Sequence, residues 1–240
     1  MSLDIIALTP DYVVAVKPAG MDAERDMPKL LAEASGGASQ ASEFYCVHRL
    51  DQAASGLLVY ARNRKTAAAL SEMVREHQLK KSYYIIVSGK PMETEGTYED
   101  LLFKDSKRQK AFTVKTERKG VKRAKLLYEV LETSSILNFG NTEELSLIRV
   151  QLKTGRFHQI RVQFASRGMP IAGDGKYGSR IKCGLCRFCQ SLSFPEYKKV
   201  QGRTKDLSEK SPSLTFEAPL PAEFPWNRFK TILSDASDRL

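Results

Sequence analysis

The sequence predicts an α+β fold with a largely antiparallel sheet. Three observations carry that expectation. Apolar runs of strand length outnumber helical periods. The few helical periods do not alternate with the strands as a parallel α/β sheet would require. The 240 residues, 42% hydrophobic with 11 Phe and 9 Tyr, supply enough apolar material for the core of one domain spanning 1–240.

Taken in order, the run "DYVVAVKPAG" reads as a short apolar strand halted by Pro18 and Gly20. Residues 66–78 place Leu70, Met73, Val74 and His77 at the i, i+3, i+4, i+7 spacing of an amphipathic helix. Lys80 and Lys81 then suit its C-terminal end. "SYYIIVSG", 82–89, is a β-rich run closed by glycine. Over 97–116, "TYEDLLF" and "KAFTV" flank the charged "KDSKRQK", the pattern of a hairpin. "AKLLYEVLE", "SSILNF" and "LSLIRVQL" read as three further strands. Residues 157–167 place Phe157, Ile160 and Phe164 on one helical face, with Gly168 as the stop. Residues 197–213 are polar and charged and read as an exposed loop. A last helix, about 225–237, starts at Pro225 and places Trp226, Phe229 and Leu233 on one face. There is no internal repeat.

The net charge of +10 points to an anionic partner: RNA, DNA or a membrane surface. No run approaches the roughly 20 apolar residues of a membrane span. The N-terminus lacks the ordered regions of a signal peptide, so a cytoplasmic location is expected. Four cysteines, Cys46, Cys183, Cys186 and Cys189, are too few for a disulfide scaffold at this length. In "CGLCRFC" three thiolates have tight spacing, but a structural zinc site takes four ligands. Free thiols, buried or half-exposed, are the expected state, with no metal bound.

Chemistry concentrates in two stretches. In "FYCVHRLDQAASGLLVYAR", 44–62, His48, Arg49 and Asp51 sit between two apolar segments. A carboxylate there is costly to desolvate unless paired. It is either a structural ion pair with Arg49 or another arginine, or a catalytic carboxylate on a loop after a strand. In the second reading the small residues Ala53 to Gly56 leave room for a bulky ligand. His48 reads as a structural hydrogen-bonding residue. The second stretch, Leu152 to Ser179, gathers Lys153, Arg156, His158 and Arg161 at a strand end, a turn and a helix start, which attracts phosphate. Arg161 lies five residues beyond Arg156 and so faces another side of the helix. An inward arginine needs a carboxylate and Asp51 needs a cation; that mutual need pairs Asp51 with Arg161.

Four motifs then occur in order: "VAVKPAGM", "HRLDQAASG", "KKSYYIIVSG" and "TGRFHQIRVQFASRGMPIAGDGKYG". They resemble the KPAG element, the HRLD motif, the K-Y strand and the GR-HQIR block with its GD–YG ending of the RluA-type pseudouridine synthases. The resemblance spans residues 13 to 179. It implies a catalytic domain with a mixed, mainly antiparallel sheet, flanking helices and a central RNA cleft. It implies isomerisation of uridine to pseudouridine within ribosomal or transfer RNA, without external cofactor or metal. It assigns Asp51 as the catalytic aspartate, Tyr83 as the tyrosine stacked on the target base, and Arg49 as the arginine filling the gap left by the flipped uridine. Tyr84, on the opposite strand face, is then the core partner. Detaching uracil builds positive charge on the sugar, which an ionised Asp51 can stabilise, attack at C1′, or relieve of a proton. A nearby Arg161 would favour that ionised form. Lys17, Lys153, Arg156, His158 and Gln159 are expected to face RNA or to order loops, and Gly155 and Gly173 to serve turns. Two departures stand out. Ala54 replaces the threonine usual in the family, and Cys189 falls where a histidine is common. With "VAVKPAG" beginning near residue 13, no room is expected for an N-terminal S4-like RNA-binding module. The expected protein is a monomer without an obligate protein partner.

Two other functions compete. A non-catalytic RNA-binding protein or chaperone retaining the cleft would have no use for Asp51, which repels phosphate. A nucleoside-cleaving hydrolase would have no use for a +10 field.

Overall fold

A computed structural model describes residues 3–35, 43–196 and 212–230. Among the described residues eleven strands and three α-helices occur in the order β1 (Ile5–Leu8), β2 (Tyr12–Lys17), α1 (Met27–Ala34), β3 (Tyr45–Cys46), β4 (Ser55–Ala61), α2 (Arg64–Arg75), β5 (Lys80–Ser88), β6 (Glu95–Asp105), β7 (Lys110–Val114), β8 (Val121–Asn138), β9 (Asn141–Leu152), α3 (Gln159–Ala165), β10 (Arg187–Pro195) and β11 (Ser213–Glu217). The expected α+β class is observed. The chain divides into two compact units, each described by itself. The first comprises residues 1–81 and 189–218, the second 82–188 and 219–240, with the boundaries falling inside β5 and β10.

In the first unit, β1, β2, β4 and β10 are successive neighbours, with β3 on β4 and β11 on β10. The β2–β4 ladder is antiparallel and runs from Tyr12 opposite Ala61 to Lys17 opposite Gly56. Val13, Val14, Leu57, Leu58 and Val59 are completely buried. These strands read as continuous apolar runs because neither face meets water. Helix α2 starts where the Asn63 side chain accepts the Thr66 N–H at 2.8 Å and buries Leu70 and Met73. It stops at residue 75. His77, expected inside it, takes a left-handed φ of 57°, and the N–H groups of Gln78 and Leu79 fold back on the Met73 carbonyl. Lys80 and Lys81 therefore open β5 instead of closing the helix.

The second unit has the strand order β5-β9-β8-β6-β7, with antiparallel ladders. "AKLLYEVLE" and "SSILNF", expected as two strands, are one 18-residue strand, β8, whose register shifts between Val130 and Glu132. The extra residue bends the ladder without ending it. Helix α3 packs on this unit, and six of its seven residues, Gln159 to Phe164, are buried. Phe164 meets Tyr98 and Tyr128 edge-on, at 5.1 and 6.0 Å between ring centres. The polar stretch 197–213 lies outside the described residues up to 211, and Ser213 already belongs to β11. Of the C-terminal helix, residues 226–228 form one 3-10 turn, and everything beyond 230 lies outside the described residues.

Candidate active site

Asp51 follows β3 and precedes β4, on a tight turn closed by the Ala54 N–H on its own carbonyl at 3.0 Å. Its side chain is half-buried. The turn is pinned from the neighbouring loop, 18–21. The Gly20 N–H donates to the Gln52 carbonyl at 2.8 Å, and Gln52 Nε2 donates back to the Gly20 carbonyl at 2.9 Å. Lys17, fully buried at the end of β2, joins the two loops. Its Nζ donates to the carbonyls of Pro18 (2.7 Å), Met21 (3.0 Å) and Gln52 (3.1 Å). Of the two roles expected for Lys17, the geometry describes loop ordering; a cation with no exposed surface does not face RNA.

Of the small residues after Asp51, Ala53 is exposed, whereas Ala54 and Gly56 are packed. Ala54 is completely buried, and Gly56, at φ 115°, lies against β10. A Cβ there would stand 2.3 Å from the Cys189 nitrogen and 2.5 Å from its carbonyl oxygen. The room expected for a ligand at Gly56 is filled by main chain. His48 is buried, and its Nε2 accepts the Val59 N–H at 3.2 Å. Nε2 being the acceptor, the proton sits on Nδ1. Burial, then the charge of Lys81, hold the ring well below the ordinary histidine pKa. Arg49 is exposed, with one contact to Glu24 at 3.3 Å.

In the second unit Arg161 is buried, and the carboxylate that meets it is Asp174. Nε and Nη2 donate to Oδ2 and Oδ1, both at 2.7 Å, with the two side chains 8% and 1% exposed. The guanidinium thus meets a carboxylate thirteen residues along its own chain, one that the pairing inferred from sequence did not include. Arg161 Nη1 also reaches His158 Nε2 at 3.0 Å. A guanidinium only donates, so Nε2 accepts and His158 carries its proton on Nδ1. Nδ1 lies 3.0 Å from Tyr177 Oη, which also accepts the Ala111 N–H at 2.8 Å. Gln159 is equally committed. Its Oε1 accepts from Thr154 Oγ1 (2.8 Å) and the Arg156 N–H (3.0 Å), and Nε2 donates to the Lys125 carbonyl at 3.1 Å. His158 and Gln159, expected to face RNA or order loops, are buried and hold the 154–161 turn to β7 and β8. Lys153 and Arg156 are exposed.

Tyr83 is buried on β5 opposite Val150. Tyr84, expected in the core, is half-buried opposite Arg149, so the two tyrosines exchange their expected environments. The guanidinium of Arg187 lies 4.9 Å from the Tyr83 ring centre, in cation–π range. Arg187, only 8% exposed, was not singled out in the sequence, where it is hidden inside the cysteine cluster. An open cationic surface lies elsewhere in this unit. Lys107, Arg108, Lys115, Arg118, Lys119, Lys122, Arg123 and Lys125 are exposed along β6–β8. Arg118 stacks on Phe103 at 5.1 Å and Lys104 on Phe157 at 4.5 Å. Cations interleaved with aromatic rings suit phosphates and bases together. Among the described residues no group of three or more His, Cys, Asp or Glu is placed to hold a metal, and no helix is long and apolar enough to cross a membrane.

The chain belongs to the RNA pseudouridylate synthase family, whose model matches residues 11–166. It is 32% identical over 227 residues to an uncharacterized RNA pseudouridine synthase of Zymomonas mobilis, covering 92% of this chain and 94% of that one. It is 30% identical over 209 residues to ribosomal large subunit pseudouridine synthase C of Rickettsia bellii, covering 85% of this chain and 67% of that one. Its fold is similar to human RNA pseudouridylate synthase domain containing 1, with a TM-score of 0.70 at 22% identity over 81% of this chain and 79% of that one. Family and fold together make the chain an RNA pseudouridine synthase, an isomerase acting on RNA.

Proposed function

We propose that Asp51 is the catalytic carboxylate and that the target is a uridine in structured RNA, ribosomal or transfer. The observation that carries the assignment is the mount of Asp51. A fully buried ammonium and the reciprocal bonds between Gly20 and Gln52 fix a turn that holds one half-buried carboxylate. Fixing a charged group before the substrate arrives removes the cost of ordering it during reaction. The glycosidic bond of a stacked uridine is inaccessible, so the base must leave the stack. Exposed Arg49 is suited to fill the gap, and Tyr83 is the ring that the family resemblance assigns to the extruded base. Arg161, paired with Asp174, supports the fold of the cationic unit. The family name of the Rickettsia relative favours large-subunit ribosomal RNA over transfer RNA. The enzyme acts as a cytoplasmic monomer without an obligate protein partner.

The test is to incubate the protein with total ribosomal and transfer RNA from a strain lacking its gene, and to map pseudouridine chemically. New pseudouridine at one or a few positions is expected, in ribosomal RNA first. No pseudouridine in either pool contradicts the proposal, and free uracil as product would point to hydrolysis.

A further inference from the structure

Cys183 and Cys186 lie within the second unit. Their sulfurs are 3.7 Å apart, non-bonded but within one side-chain adjustment of the ~2.05 Å disulfide length. Their surroundings differ sharply. Cys183 is half-buried, whereas Cys186 is 2% exposed. The loop carrying them is held by main chain. The Cys186 N–H donates to the Ala172 carbonyl at 2.9 Å, and its carbonyl accepts the Ile86 N–H at 3.1 Å. The Gly184 carbonyl sits against Gly173, where a Cβ would come within 2.0 Å. The backbone is therefore set, and the sulfurs face each other by construction.

We propose that Cys183 and Cys186 form a reversible dithiol–disulfide site that reacts with small-molecule disulfides of the glutathione class. The Cys183 thiolate attacks one sulfur of the disulfide RSSR, the S–S bond breaks, and one thiol RSH leaves after taking up a proton. Cys186 then gives up its proton and attacks the Cys183 sulfur, forming the Cys183–Cys186 bond and releasing the second RSH. Two protein thiols lose two electrons and two protons, and RSSR gains both. The order follows from access and acidity. The hydrogen bond from Cys186 favours the Cys183 thiolate, while that same bond, burial and the charge of Glu223 keep the Cys186 thiol protonated. Cys186 immediately precedes Arg187, which covers Tyr83, and Phe188, which meets Trp226 edge-on at 6.5 Å. Closure of the pair is thereby transmitted to the start of β10.

The sequence provides a clean readout. Trypsin cuts after Lys182 and Arg187, releasing Cys183–Arg187, a peptide with these two cysteines and neither Cys46 nor Cys189. After treatment of the folded protein with glutathione disulfide and alkylation of the remaining thiols, this peptide is expected to lack two hydrogens and carry no alkyl group. Dithiothreitol should restore it. In Cys186→Ala the adduct is expected to stop at one glutathionyl group on Cys183, and in Cys183→Ser the peptide should carry neither adduct nor disulfide. The single tryptophan, Trp226, should shift its emission on oxidation and recover on reduction. A wild-type peptide that stays a dithiol at every glutathione ratio overturns the proposal without reliance on a variant, as does a first adduct on Cys186. An unchanged Trp226 spectrum in the disulfide form refutes transmission to β10.

Discussion

Replacing Asp174 by asparagine tests the pairing of Arg161 with Asp174. The substitution keeps the shape but removes the charge and turns one acceptor into a donor facing the Arg161 N–H groups. Both side chains are almost entirely withdrawn from water, at 8% and 1% exposure, with two 2.7 Å bonds between them. Breaking such a pair takes both carboxylate bonds from a buried guanidinium and costs about 3–5 kcal/mol. That is a large part of the 5–15 kcal/mol that holds a typical domain folded, so the variant is expected to be soluble but fragile. Urea unfolding followed by circular dichroism reads the effect. With a slope of roughly 2 kcal/mol per molar, the midpoint should fall by about 2 M. Glu117→Gln provides the contrast. Its ion pair with Arg123 at 2.7 Å joins side chains 61% and 85% exposed. Its loss should cost less than about 1 kcal/mol. If Asp174→Asn shifts the midpoint no further than Glu117→Gln, the assignment of Asp174 as the charge partner of Arg161 is wrong.

Three further outcomes follow from the loop and its mount. Lys17→Met leaves the carbonyls of Pro18, Met21 and Gln52 without their shared donor, at a cost of about 1–3 kcal/mol or more. Turnover should fall with RNA affinity nearly unchanged, and an unaltered turnover number would refute the mounting role. Gly56→Ala places a methyl group 2.3 Å from the main chain of Cys189, so soluble yield should collapse; a folded variant with a wild-type melting temperature would contradict the packing. His48 titrates below its ordinary value because it is buried, so the unfolded chain binds a proton that the native ring refuses. Its contribution to stability is therefore complete above about pH 6.5 and is lost as pH falls below it, by up to about 1.4 kcal/mol per pH unit. Comparing wild type with His48→Gln between pH 7.5 and 5 should show the shallower slope in the variant, and parallel slopes would refute it.

Much of this was legible in the sequence, for reasons that differ by element. The strands 12–17, 82–88 and 110–114 announced themselves because buried strands must be apolar and their ends need Pro, Gly or charge. The break expected within β8 came from polar Glu132, Thr133 and Ser134, which a bulge accommodates inside one continuous ladder. The end of α2 was misplaced because helical periodicity continues through His77, whereas the backbone turns left-handed there. Side-chain partners were less legible. Mutual need correctly showed that Arg161 requires a carboxylate, but several carboxylates can meet one guanidinium, and spacing along the chain does not choose among them. Alternation separates Tyr83 from Tyr84 but does not say which face is covered. Lys17 and Arg187 left little signal. Each is a lone cation whose meaning lies in the carbonyls or the ring that the fold brings to it.

The central claim is that Asp51 supplies the chemistry while the cationic surface supplies the binding. Single-turnover formation of pseudouridine by Asp51→Asn, at RNA concentrations that saturate it, separates the two. The variant is expected to bind RNA within about threefold of wild type and to form product at least about a thousandfold more slowly. Product formed at the wild-type rate by this variant would contradict the assignment outright.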